Sequence, residues 1–325
     1  MTDAIVMQGI TKSFGPKVAV REMSLAVPEG ALYGFIGPNG AGKTTTIRMI
    51  MSILFPDSGR LSVLGKASAV ESKDRIGYLP EERGVYKKMK AGSFLKYIGK
   101  LKGMSGPDLD RKVKDWLERV GLGDCSKKRC DELSKGMQQK IQFIASVLHE
   151  PDLLIFDEPF SGLDPVNMRL LRDLFLEQHK AGRTILFSTH VMHQAEQLCD
   201  HIIMIDQGTK VLDASMDEIH GRYDPRSIVF VPVDAGQAES VRSIAGVTGL
   251  TQGDNQFEAA VGDGVDPAEI MRQIVAMMVV TRIELHRPSL EDVFVNIVGR
   301  GVAESEDEAG LHAPQSEETA VGARS

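Results

Sequence analysis

A short apolar run, Leu32-Tyr33-Gly34-Phe35-Ile36, leads directly into Gly37-Pro38-Asn39-Gly40-Ala41-Gly42-Lys43-Thr44, and residues 45–54 then carry helical character. Few strings restrict a chain more. Glycines in such a loop let successive backbone N–H groups point into one concavity, and the following helix adds the positive end of its dipole. Strand, glycine loop and helix in that order form a phosphate cradle. The chain must therefore build a strand that ends at a site, a helix that starts there, and a sheet that holds both. Lys43 is placed to bridge the β- and γ-phosphates of a nucleotide, Thr44 to offer its hydroxyl to Mg²⁺, and Thr45 to reach the α-phosphate.

The surrounding pattern extends that frame. Residues 4–10 and 18–27 read as β segments closed by the Pro28-Glu29-Gly30 turn. Between 90 and 130, Phe94, Leu95, Tyr97, Ile98 and Leu101 recur on one helical face, and Val113, Trp116, Leu117 and Val120 on another, separated by Gly103–Pro107. This predicts a helical subdomain, about 88–140, inserted ahead of the strand Leu153-Leu154-Ile155-Phe156. Strands at 184–188 and 201–206 with a helix at 191–199 between them continue the alternation of a largely parallel α/β core. After Arg222 the pattern restarts as strand 227–233, helix 238–245, strands 247–252 and 256–261, helix 267–278 and strand 281–286. That βαββαβ order predicts a small ferredoxin-like domain over 225–299. Residues 300–325 lack apolar periodicity and are expected to be disordered.

Four apolar residues, Leu153–Phe156, bury a strand that ends in two adjacent carboxylates, Asp157 and Glu158. Asp157 suits the Mg²⁺ shell through water, and Glu158 is suited to polarise an attacking water. Pro159-Phe160-Ser161-Gly162-Leu163-Asp164 continues the segment, and Ser188-Thr189-His190 closes another apolar strand. Leu133-Ser134-Lys135-Gly136-Met137 precedes a helix and lies shortly before the carboxylate strand.

Together these segments resemble the ATP-binding cassette of transporter ATPases over about residues 4–220. Gly37–Thr44 matches the Walker A loop, Leu153–Glu158 the Walker B strand, Ser161–Asp164 the D-loop, and Leu133–Met137 the signature element. His190 matches the switch histidine at the γ-phosphate, and Phe14 stands where the family stacks an aromatic ring on adenine. The resemblance implies a P-loop NTPase core over 1–222 with a β-rich N-terminal layer, binding ATP with Mg²⁺ held by Thr44, Asp157 and Glu81. It also implies a second copy whose Ser134 and Gly136 reach the nucleotide in trans, with Asp164 nearby. Two departures from the family pattern stand out. Lys135 and Met137 replace a glycine and the glutamine of the signature, and Glu81, in Leu79-Pro80-Glu81-Glu82-Arg83, replaces the glutamine normally found near the metal. Residues 79–86 and the Arg287–Phe294 segment resemble the sodium-efflux, multidrug and antibiotic-resistance exporter ATPases.

Composition bounds the partners. Residues 301–325 hold Glu304, Glu306, Asp307, Glu308, Glu317 and Glu318 against Arg324, so this tail carries −5 of the net −7. The near-neutral remainder has no polyanion-binding character, and no nucleic-acid partner is expected. No apolar run approaches membrane-spanning length. A membrane role must then run through a separate permease, of the ABC-2 type by the resemblance, with the chain peripheral on the cytoplasmic face. Cys125, Cys130 and Cys199 are expected to be reduced thiols. The alternative is a non-transport ATPase of the same superfamily acting on a cytosolic macromolecule. It is disfavoured because no heptad run lies between Thr44 and Glu158 and the chain carries a single cassette. A regulatory module that holds ATP without turnover is disfavoured by Glu158 and His190.

Overall fold

The central strands are apolar at nearly every position, which suits only a sheet covered on both faces. In the computed structural model these are β3 (Leu32–Ile36), β6 (Leu153–Asp157) and β7 (Thr184–Thr189), each buried throughout. Residues 2–82, 84–222, 227–253, 255–262, 264–286 and 289–298 are described. The acidic tail, Arg83, Asp254, Arg287 and Pro288 lie outside them. The chain divides into two compact units, Met1–Ile219 and His220–Ser325.

In the first unit, β1 (Asp3–Phe14) and β2 (Lys17–Pro28) form an antiparallel pair, and β4 (Ser58–Val63) adds on the far side of β1. Both expected strands run longer than their apolar cores. The pattern missed β4 because it opens on the exposed Ser58-Gly59-Arg60. The second sheet has the order β5-β6-β7-β3-β8-β9, with β5 (Ile76–Leu79), β8 (His201–Asp206) and β9 (Thr209–Ser215). All neighbours are parallel except β8 and β9. The register pairs Ile36 with Thr189 and Asp157 with Ser188. The carboxyl ends of three strands thus line up at one sheet edge, where open α/β sheets place their ligands.

Helix α1 (Lys43–Ile50) follows the glycine loop. Helices α2 (Ala91–Leu101), α3 (Gly106–Arg119) and α4 (Lys135–Val147) make the helical region. Phe94 and Leu95 are buried there, as are Val113, Leu117 and Val120. Tyr97 and Leu101, expected on the same inward face, are instead 40% and 58% exposed. Gly99 faces Leu109 where that face would turn inward, so α3 crosses before the stripe reaches Leu101. Helix α4 lies close on β5, because a Cβ on Gly77 would meet the Ser146 carbonyl at 2.1 Å. Helices α5 (Pro165–Lys180), α6 (Met192–Leu198) and α7 (Met216–Arg222) complete the helices of this part of the chain.

The second unit holds β10 (Ser227–Pro232), β11 (Val247–Gln252), β12 (Phe257–Val261), α8 (Pro267–Met277) and β13 (Val280–Leu285). Its sheet order, β11-β12-β10-β13, is antiparallel throughout. The expected helix 238–245 is instead a run of 3-10 turns over Ala235–Ser243. Its buried residues Ala238, Val241 and Ile244 repeat every third position, the period of the tighter helix. The Ser240 and Ser243 hydroxyls donate to carbonyls three residues back, which favours the same winding. At the far end Ser289 caps the helical residues 290–298, and its hydroxyl accepts the Asp292 N–H at 3.1 Å.

Candidate functional site

Gly37 has a φ of 155°, and a Cβ there would meet the Ile205 carbonyl at 2.1 Å. Only glycine lets β3 turn into the loop against β8. The loop, Phe14, Lys17, Ala19, Thr45, Glu81 and Glu158 surround a cleft of about 410 Å³. Phe14 is half exposed at its mouth, with the Lys12 ammonium 5.7 Å from the ring centre.

Lys43, buried at 7% exposure, turns its ammonium onto the loop itself, donating to the Gly37 carbonyl at 2.7 Å and the Pro38 carbonyl at 3.1 Å. The Glu158 carboxylate lies 3.8 Å away. Burial pulls the Lys43 ammonium below its usual range, while Glu158, Asp157 and Glu81 oppose that shift. A cation held by carbonyls in a cradle of N–H groups is poised to exchange those carbonyls for phosphate oxygens.

Asp157 is fully buried. Its Oδ1 accepts from the Ser188 hydroxyl and, at 3.3 Å, from Thr44. Its Oδ2 is buried without a partner. Burial pushes this carboxyl above its usual range against the two hydroxyl bonds, and the nearby Glu81 and Glu158 charges push the same way. An orphaned, buried carboxylate oxygen beside a threonine hydroxyl suits a hard divalent cation. Among the described residues no group of three or more His, Cys, Asp or Glu side chains forms a complete metal cage. The donor set therefore fits an ion that brings water and phosphate oxygens of its own.

Glu158 adopts a left-handed backbone, φ 50°, rare for a non-glycine residue. Its N–H is held by the Ser188 carbonyl and hydroxyl, each at 3.2 Å. The side chain is 8% exposed, and its Oε1 lies 2.9 Å from Nδ1 of the more exposed His190. The turn thus redirects the second carboxylate away from Asp157 and toward the phosphate loop. Partly buried Tyr78 is pushed up to about 12, first by desolvation and then by Asp157.

Ser134, Gly136 and Asp164 do not line this cleft. Ser134 caps α4, accepting the Met137 N–H at 3.3 Å, and Asp164 caps α5 through Val166 and Asn167. Gly136 faces the Asn167 amide, with an ideal Cβ 3.4 Å away, so the signature and D-loop segments adjoin.

Three functional side chains had no role in the sequence reading. Ser188 binds Asp157 and steadies Glu158; its signal is a hydroxyl at the end of a fully buried apolar strand. Gln139, buried on α4, donates to the Pro159 carbonyl at 2.9 Å. Gln142, three residues on, donates to the Glu82 carbonyl at 3.3 Å. A single helix therefore carries the signature at its start and touches both the carboxylate turn and the Glu81 segment.

A family model described as ABC transporter matches residues 20–161, and one described as ATP-binding protein DrrA1-3-like, C-terminal domain, matches residues 215–298. The chain is 39% identical to the uncharacterized ABC transporter ATP-binding protein YhaQ of Bacillus subtilis, over 91% of this chain and 98% of that protein. It is 30% identical to the linearmycin resistance ATP-binding protein LnrL of the same organism, over 90% and 97%. A solved structure of an ATP-binding subunit of an ABC transporter superposes with a TM-score of 0.63 at 28% identity, covering 68% of this chain and 93% of that one.

Proposed function

This chain belongs to the ABC transporter family of ATP-binding proteins, and from that premise we propose that it drives a membrane exporter as a pair of copies beneath a permease. As a family member it binds and hydrolyses ATP and works with a separate permease. The export direction is supported by its likeness to a linearmycin resistance protein and to the DrrA1-3-like C-terminal domain. An ABC-2-type permease would hold it at the inner face of the membrane. Among the described residues no helix is long and apolar enough to cross a membrane itself.

In this reading Phe14 stacks on adenine, and Gly37–Thr45 wrap the phosphates with backbone N–H groups. Lys43 leaves the Gly37 and Pro38 carbonyls for the β- and γ-phosphates. Thr44 and Asp157, with Glu81 on the same cleft, would hold Mg²⁺, which when bound neutralises charge on the phosphates. Glu158 orients the attacking water with its Oε1, and His190 steadies that carboxylate and faces the γ-phosphate. Ser134 and Gly136 of a second copy supply the remaining donors from the start of α4, where the helix dipole favours an anion. Lys135 adds a cation there in place of a glycine. Closure moves α4, and Gln139 and Gln142 carry that motion to Pro159 and Glu82.

The observation that carries the reading is the Glu158 turn: a left-handed carboxylate pinned by Ser188, 2.9 Å from His190 and 3.8 Å from Lys43. Glu158→Gln is expected to keep ATP binding and lose turnover by about 10²–10⁴-fold, the usual worth of a positioned base. Wild-type turnover in that variant would remove Glu158 from the mechanism.

A further inference from the structure

The second unit ends its sheet on an unpaired strand. In the order β11-β12-β10-β13, β13 has β10 on one side and no strand of the described residues on the other. Such an edge offers a row of free N–H and C=O groups to another strand. The His286 N–H is spent inward on the Ser227 carbonyl. Alternation back along the antiparallel strand then points the N–H and C=O of Leu285 and Ile283 outward, and a register shift between Val231 and Pro232 interrupts it at Thr281.

Exposed apolar side chains flank the strand: Val279 precedes it, with Val233 donating its N–H to the Val279 carbonyl, and Leu285 ends it.

Charge selects the occupant. Arg282 and Glu284 sit two residues apart on one face of β13 and pair with each other. If β13 meets a second β13 antiparallel about Ile283, Arg282 of each copy faces Glu284 of the other. The two Ile283 residues then exchange their outward hydrogen bonds. The strand is its own complement in this register.

We propose that β13 is the docking edge for β13 of a second copy, the two four-stranded sheets joining into one continuous sheet with no nucleotide required. A pairing this short is weak alone. The proposal that two copies share a transporter, on which this inference rests, places them at about millimolar effective concentration, enough to populate it. The contact keeps the copies together between cycles, when the ATP-dependent contacts are open.

Sedimentation of the full chain without nucleotide, over a concentration series that reaches about one millimolar, reads the contact. The wild-type chain is expected to self-associate. Arg282→Glu, which turns two attractive cross-strand pairs into two repulsive ones, should weaken association about tenfold or more. Arg282→Glu combined with Glu284→Arg should restore it to about the wild-type level, since each new Arg again faces a Glu. A monomeric wild-type chain, an unaffected single variant, or a double variant as weak as the single one would each overturn the proposal. The ATP cleft is lined by residues of the first unit, among the described residues. ATP-dependent pairing of the Glu158→Gln chain is scored separately, and its absence would count against the functional reading alone.

Discussion

Asp157→Asn separates what the fold needs from what the chemistry needs. The carboxylate is fully buried, with two hydroxyls on Oδ1 and nothing on Oδ2. Its pKa in the folded chain lies above the ordinary value even though Lys43 is nearby, so the ionised form is less favourable folded than unfolded. The sign follows from linkage. Below the unfolded pKa both states are protonated and no penalty exists. As pH rises through the unfolded and then the folded pKa, the penalty develops, and at neutral pH it is complete. An unsatisfied buried polar group costs about 1–3 kcal/mol and a charged one more, so a neutral amide in the same place relieves the excess borne by the charge. For a unit of this size each kcal/mol moves Tm by about 2–4 °C. The nucleotide-free Asn variant should therefore melt several degrees higher than the wild type at pH 7, with the difference shrinking toward pH 4. ATP with Mg²⁺ should reverse the order, because the ligand stabilises only the chain that keeps the carboxylate. Scanning calorimetry at both pH values, with and without ligand, measures all four points. A lower Tm for the nucleotide-free variant at pH 7 would refute the picture of a carboxylate whose burial is costly until a cation binds it.

Two further outcomes follow from neighbouring groups. Ser188→Ala removes the hydroxyl shared by Asp157 and the Glu158 N–H. Hydrogen bonds to charged groups are worth about 1.5–3 kcal/mol, so kcat should fall about 10–100-fold with little change in KM. A raised KM with kcat unchanged would instead indicate a binding role. Burial depresses His149 to about 4, with Lys102 adding to the effect, while its Nε2 meets the Ile76 carbonyl at 3.1 Å. The stability tied to its neutral form is whole above the unfolded pKa and is lost as pH falls toward 4, by roughly 2 kcal/mol after discounting its partial exposure. Urea midpoints at pH 7 and pH 5 should differ more for the wild type than for His149→Gln, and equal differences would remove His149 from the acid sensitivity.

Local sequence carried the cleft because its chemistry is local. The glycine loop, the carboxylate pair and His190 each close an apolar strand, and parallel register alone brings those strand ends together. What stayed hidden depends on distant packing. Gln139 and Gln142 look like ordinary polar positions on a helix until α4 is seen lying on β5, with their amides reaching Pro159 and Glu82. Ser188 acquires meaning only once β6 and β7 are paired. The strand β4 was masked by its polar opening, and the stripe through Tyr97 and Leu101 extended beyond the part that α3 covers. In the second unit the strands followed alternation closely. The turns over Ala235–Ser243 were read as an α-helix because a three-residue apolar repeat also fits the helical template at short range.

In the proposed pair, Ser134 and Gly136 of one copy complete the nucleotide site of the other. Gly136 has room for a side chain against Asn167, so Gly136→Asp should fold while repelling a trans phosphate. Lys43→Ala disables the loop of its own copy. Chains carrying either change should be nearly inactive alone. In an equal mixture allowed to exchange, half the pairs are mixed and each holds one intact site, so ATP turnover should recover to about a quarter of the wild-type rate. A mixture no more active than its parents would contradict the shared site.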